Sequence, residues 1–371
     1  MRSANSASHR ATLLNAATAL TVVAGSAVAG PPKFGEYAQL QTPTGGKFGN
    51  FHGTQSMSTA GLAGRSYFSN ASSSKAIRWG FDGTPTVLGA VEGAVVTESF
   101  AIGINASGES AGYTGGPYEN LQAARWDASG KGTLLGLLPD ANPFNNKAFG
   151  INDAGYAVGH QRINEVGVPV RWDAKGTPTQ LASIGNAIGG GARTINNENV
   201  VAGTLTYEIN GFIRDLAVRW DSEGNAKFLG EVEGLEYEST DIYGINAAGA
   251  VVGSIDIGSD DRAIRWDADG QAALLGDLPG LTTNRSGAYG ISENGYAVGL
   301  IVSPTVFGGT AVLWDVDGTA VPLTDLLEDE HTWNLIAAAA ILDVGDETRV
   351  LAFGQRDGGD YHWYVFSTAS V

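Results

Sequence analysis

The sequence predicts an all-β fold: a seven-bladed β-propeller of four-stranded blades, closed by an N-terminal strand that completes the last blade. Two repeated elements in phase with one another, and turn residues spaced between them, carry that prediction. A tetrapeptide ending in tryptophan recurs as AIRW at Trp79, AARW at Trp126, PVRW at Trp172, AVRW at Trp220, AIRW at Trp266 and AVLW at Trp314, in steps of 46 to 48 residues. A weaker copy, WYVF, ends at Phe366. Between these runs I-N-x-x-G-x-x-x-G, beginning at Ile104, Ile151, Ile195, Ile245 and, as ISENGYAVG, at Ile291. Degenerate copies lie near residues 57–64 and 342–354.

Turn chemistry divides each repeat into four short strands. In residues 148–182, AFGIN is the first, N-D-A-G a tight turn, YAVGHQ the second, VPVRW the third, D-A-K-G another turn and PTQLAS the fourth. Asn152 and Asp173 suit the turns because their side chains bond the backbone two residues on, and Gly155 and Gly176 accept positive φ. Four strands in about 40–50 residues is the size of one propeller blade. Helical repeats would show a 3.6-residue apolar period, which is absent. The last repeat has three strands, near residues 337–343, 349–355 and 362–367, and EYAQL at residues 36–40 supplies its fourth.

Residues 1–29 read as a secretory signal peptide, leaving one propeller domain over residues 30–371. Arg2 and Arg10 open the segment, an apolar run follows, and Ala27-Val28-Ala29 is a cleavage signal. Export without cysteine means that a large core, not disulfides, must stabilise the fold, and it removes thiol nucleophiles, thiolate metal sites and a lipidated cysteine. A formal charge of −17 disfavours nucleic acid and anionic membranes as partners. The expectation is a secreted monomer, extracellular or periplasmic, without membrane insertion.

The alternation of GIN-x-x-G-x-x-x-G with x-R-W-D-x-x-G and with LLGLLPD or LLGDLPG resembles the bacterial HAF-repeat family of probable extracellular proteins. The resemblance covers nearly all of the chain beyond residue 29, although AIRW or AVRW stands where the family has His-Ala-Phe. It implies an exported β-repeat protein and brings no catalytic residues with it.

The in-phase tryptophans read as fillers between blades, and Arg78, Arg125, Arg171, Arg219 and Arg265 call for a recurrent carboxylate or backbone carbonyl as partner. Asp267-x-Asp269-Gly270 and Asp315-x-Asp317-Gly318 resemble the start of a calcium loop but occupy a repeated turn and lack its closing Glu. Ser72-x-x-Lys75 and Gly189–Gly191 match fragments of catalytic and phosphate motifs without the companion residues. His52, His160, His331 and His362 have no metal-ligand spacing.

Recognition is expected on the face of the variable loops, between strands two and three and between blades. That face includes Glu231, Glu233, Glu236, Glu238 and Asp241, the loop of Tyr113 and Tyr118, and Asp256, Asp260 and Asp261. Its carboxylates read as a solvated loop or as a Ca²⁺ site; no other cofactor is implied. Departures from the repeat pick out a channel mouth. Two residues before the motif isoleucine stand Ile102, Phe149, Tyr243 and Tyr289, but Arg193 in one repeat. Four before it, Lys147 and Asp241 replace Phe100, Gly191 and Gly287. Glu98, Lys147, Arg193, Asp241 and Arg285 are therefore the candidate ligand-binding residues, and none is assigned a catalytic role. A non-catalytic module binding a glycan or protein ligand is the leading reading. The alternatives are a propeller-type hydrolase or lyase with carboxylates at the mouth, and a purely structural envelope component.

Overall fold

A computed structural model describes residues 30–48, 56–68, 73–116, 120–235, 237–258, 260–281, 285–303 and 306–368; the signal peptide expected over residues 1–29 lies outside them. Among the described residues there is no α-helix, and no helix is long and apolar enough to cross a membrane.

Strands follow the turn chemistry. In the third repeat Lys147–Ile151, Ala157–Ile163, Val166–Trp172 and Pro178–Gln180 form one antiparallel sheet in chain order. The fourth repeat does the same from Gly189–Ile195 to Ala226–Phe228. Those of the fifth and sixth, starting at Ser239–Ile245 and Arg285–Ile291, are joined by a single parallel bridge between Asp261 and Arg285. The second adds a short parallel strand, Val91–Glu92, outside Gly132–Leu134. In the first, Gly46–Phe48 and Met57–Ser58 share the inner edge of Gly61–Phe68. No sheet closes on itself among the described residues.

The last repeat combines both ends of the chain. Trp333–Val344, Glu347–Arg356 and Tyr361–Ser367 pair in order, and Glu36–Gln39 runs antiparallel to Tyr361–Ser367, Tyr37 facing Phe366. Phe34 and Leu40, flanking that strand, are fully enclosed.

Three periodic contacts join each sheet to the next. Trp79, Trp126, Trp172, Trp220, Trp266 and Trp314 all have 0% exposure, which makes them fillers between sheets and not a ligand platform. Trp126 packs on Ala63, Ala76 and Leu88 of the preceding repeat, and its indole N–H donates to the Gly89 carbonyl at 2.8 Å. Trp172, Trp220, Trp266 and Trp314 donate likewise to Gly136, Ala182, Gly230 and Gly276. The arginines before them reach forward to turn carbonyls of the following repeat, as Arg219 does to Gly249 and Ala268, both at 2.8 Å. Arg125 adds a carboxylate, Glu109, at 2.8 Å.

The motif asparagines form the third contact. The side-chain amides of Asn105, Asn152, Asn196 and Asn246 donate to the carbonyls of Asn152, Asn196, Asn246 and Ser292 in turn. Each amide oxygen accepts the N–H four residues on, so the buried amides are satisfied. Asn196→Ala leaves the Val200 N–H and the Asn246 carbonyl without these partners and is expected to cost about 1–3 kcal/mol. Urea unfolding measures it: a lower midpoint at unchanged slope is expected, and an unshifted midpoint refutes the asparagine belt.

Candidate functional site

The first strands Ser99–Ile104, Lys147–Ile151, Gly189–Ile195 and Ser239–Ile245 each sit at a sheet edge, Arg285–Ile291 is bridged once to Asp261–Trp266, and successive first strands pack on one another. Each carries a β-bulge whose extra residue is Ile102, Phe149, Arg193, Tyr243 or Tyr289. A bulge frees one side chain from the pleat and re-aims it. Of the candidate residues Arg193 alone is a bulge residue; Lys147, Asp241 and Arg285 stay in register, opposite His160, Ser254 and Val302. The last glycine of each motif permits the bulge: a Cβ on Gly159 would lie 1.9 Å from the Lys147 carbonyl, and one on Gly253 at the same distance from that of Asp241.

Two cavities open beside these bulges. One, of about 360 Å³, lies between the third and fourth repeats, bordered by His160, Gly189–Gly191, Arg193, Thr204 and Thr206. The other, of about 370 Å³, lies between the fifth and sixth and is lined by Asp241, Tyr243, Ser254, Asp261, Arg285 and Tyr289. Asp241 and Arg285 therefore share a cavity, but Arg285 pairs with Asp261, donating from Nε and Nη2 at 2.6 and 2.5 Å. Tyr243 and Tyr289 meet edge to face at 5.0 Å. Burial raises both phenols above their usual range, so they remain protonated donors.

Arg193 borders the first cavity, as do Glu165 and Asp215, while Lys147 is not one of its lining residues. The Lys147 ammonium lies 5.1 Å from the Tyr113 ring centre, and Tyr113 stacks on Phe100 at 4.6 Å. The Arg193 guanidinium lies 4.7 Å above Phe149. Glu98 borders neither cavity; its backbone carbonyl holds the Thr114 hydroxyl and the Gly115 N–H. Glu236 and Tyr118 fall outside the described residues. Among the described residues no group of His, Asp and Glu is arranged to hold a metal ion. The Asp267 and Asp315 carboxylates accept backbone N–H groups within their own turns.

His160 is a site residue that sequence reasoning set aside. It is half-buried and lines the first cavity. Burial first, then the charges of Arg193, Lys147 and Arg162, lower its pKa from 6.5 to about 3. A neutral imidazole so hard to protonate is a poor general base at neutral pH. Above pH 6.5 the group is neutral in both folded and unfolded chains and contributes nothing. As pH falls from 6.5 towards about 3, the unfolded chain binds the proton first, so stability drops by at most about 1.4 kcal/mol per pH unit. Urea midpoints between pH 7 and pH 4 are expected to fall less steeply for His160→Gln than for wild type; equal slopes would refute this.

A sequence signal for His160 exists. It immediately follows the last motif glycine, where the other repeats carry Tyr113, Thr204, Ser254 and Leu300. These residues face Phe100, Lys147, Gly191, Asp241 and Gly287 across the strand pair, with His160 opposite Lys147. Two divergent positions thus face one another across the first ladder of each of these repeats.

No family model and no curated protein sequence matches the chain. Among solved structures, the S511A mutant of puromycin hydrolase complexed with PGG is 13% identical with a TM-score of 0.52, over 89% of this chain and 54% of that one. An oligogalacturonate lyase in complex with manganese is 12% identical with a TM-score of 0.49, over 91% and 99%. Virginiamycin B lyase from Staphylococcus aureus is 11% identical with a TM-score of 0.43, over 90% and 99%. The chain spans about half the length of puromycin hydrolase. At such identities the likeness concerns architecture alone: the chain has an all-β fold similar to that of β-propeller proteins.

Proposed function

We propose that the chain is an exported, seven-bladed, closed β-propeller, released from a signal peptide at residues 1–29 and related to the HAF-repeat proteins it resembles. It serves as a binding module that recognises a glycan at the channel mouth. Closure is supported by the joint between last and first repeats. The Trp79 indole donates to the Gln41 carbonyl at 2.8 Å, just as the other tryptophans donate to the preceding repeat. A further cavity, of about 280 Å³, is lined together by Ser58, Ile104, Ile151, Ile195, Ile245, Glu293 and Leu342, one residue from each repeat.

The binding reading rests on one observation, the row of bulges that presents Phe149, Arg193, Tyr243 and Tyr289 at one rim. Aromatic faces with phenol, carboxylate and guanidinium groups beside them are the chemistry that holds sugar rings and their hydroxyls. The hydrolase or lyase alternative draws on Asp241 and Asp261 in one cavity, yet Asp261 is occupied by Arg285. A panel of immobilised glycans and envelope extracts, probed with wild type, Tyr289→Ala and Asp241→Ala, tests the proposal. A ligand weakened about tenfold or more by either substitution, equivalent to about 1.4 kcal/mol, is expected. Binding untouched by both, or new chain ends released from a bound glycan, overturns it.

A further inference from the structure

Three polar contacts recur where successive repeats meet: an indole reaching back, an arginine reaching forward, and an amide or hydroxyl at the motif position. Every joint from the first and second repeats to the fifth and sixth has all three, Ser58 serving in place of asparagine at the first of them. Between the sixth and seventh repeats none of the three occurs among the described residues. Leu313 stands where the arginine would, and Phe366, whose ring has no N–H, where the tryptophan would. Ser292 replaces the asparagine; it is 2% exposed and its hydroxyl has no hydrogen-bond partner.

Apolar packing and one segment from the start of the chain fasten this joint instead. Phe34 is enclosed with Leu313, Leu326, Ile341 and Phe366. Its N–H donates to the Leu326 carbonyl at 2.8 Å, and its carbonyl accepts the Glu328 N–H at 2.9 Å. The Lys33 ammonium donates to the Asp325 carbonyl at 2.7 Å. Residues 325–328 are the tail of the sixth repeat, yet residues 36–39 pair with the outer strand of the seventh, so the segment straddles the joint. It serves the other flank of the seventh sheet as well. Leu40 is enclosed with Leu62 and Val365, and Gln41 supplies the carbonyl to which Trp79 of the first repeat donates. Beyond this strap, Asp343 accepts the Asn294 N–H at 3.0 Å, and the Arg349 guanidinium lies 4.1 Å from the centre of the Phe81 ring.

Apolar contacts are non-directional and re-form readily, whereas a buried polar contact leaves unsatisfied groups behind when a joint parts. From the missing contacts and the strap we infer that the seventh sheet is a gate: it parts from the sixth repeat as one unit when residues 33–41 release, while the other joints stay latched. Parting exposes apolar surface, so the open form is a minor population of the native protein. Leu342 and Asp343 of the gate line the cavity shared by all the repeats, which parting opens to the side. The inference is independent of the glycan reading.

Native-state hydrogen exchange at low urea, read by mass spectrometry, tests it. Amides of residues 33–40 and of the strands Trp333–Val344, Glu347–Arg356 and Tyr361–Ser367 are expected to share one level of protection, roughly tenfold or more below that of the third and fourth repeats. Ser292→Asn supplies the missing amide and is expected to raise that shared protection about fivefold, the worth of one net hydrogen bond, with the third and fourth repeats unchanged. Phe34→Ala is expected to lower it at least about tenfold, again without effect on those repeats. Should Phe34→Ala fail to fold, Phe34→Leu gives the same contrast at smaller size. Protection of the seventh sheet equal to that of the third and fourth repeats overturns the inference. So does a loss of protection in the Phe34 variants that is spread evenly over all the repeats, or a Ser292→Asn chain whose seventh sheet exchanges as in wild type.

Discussion

Trp172→Ala is expected to lower the stability of the folded chain by about 3–5 kcal/mol, the cost of a large cavity in a closely packed interior. The indole has 0% exposure and packs with Ala123, Leu135 and Ala148. Its loss also leaves the Gly136 carbonyl with one donor fewer, Gln161 remaining. Net stabilities are typically about 5–15 kcal/mol, so one such change consumes a large share. Trp266 belongs to a different cluster, so Trp172→Ala with Trp266→Ala should be close to additive and should leave little or no folded protein. Urea unfolding followed by tryptophan fluorescence reads both effects. A loss below about 1 kcal/mol for Trp172→Ala would show that the indole is not a filler between sheets.

A second large effect is expected on deleting residues 31–41. The deletion removes Phe34 and Leu40 from two separate core clusters. Truncating such side chains alone costs about 3–5 and 2–5 kcal/mol. It also strips the Gln41 carbonyl from Trp79 and exposes the outer edge of Tyr361–Ser367 from Trp363 onward. An open edge of alternating aromatic and apolar residues invites pairing with other chains. The truncated protein is expected to aggregate, or to lose cooperative unfolding, while Glu36→Ala in the same strand remains native-like because Glu36 is exposed. A soluble truncated monomer melting at the wild-type temperature would refute the role assigned to this strand.

Most of the architecture was legible because it is written as periodicity. Tryptophan spacing marks the joint between sheets, and the turn residues mark strand ends to within two or three positions. The fourth strand of the last repeat could be found by its absence there. The bulges were not legible. A one-residue shift in register changes no composition, and its trace, the glycine at 112, 159, 203, 253 and 299, reads equally well as a turn or a weak strand position. Pairing partners at the mouth were hidden for a different reason. Arg285 meets Asp261 and not Asp241 because strands of adjacent repeats happen to start side by side, a tertiary matter. The choice of carbonyls over carboxylates by most of the repeated arginines is likewise set by which turn of the next repeat lies within reach.

The pairing of residues 36–39 with residues 364–367 has a consequence in time as well as in space. The earlier-made strand waits for roughly 330 further residues, or about 15–65 s at ordinary elongation rates, before its partner exists. During that interval every internal joint can form from neighbours already made, while the first strand has no native place to go. The same segment that completes the last sheet thereby delays it.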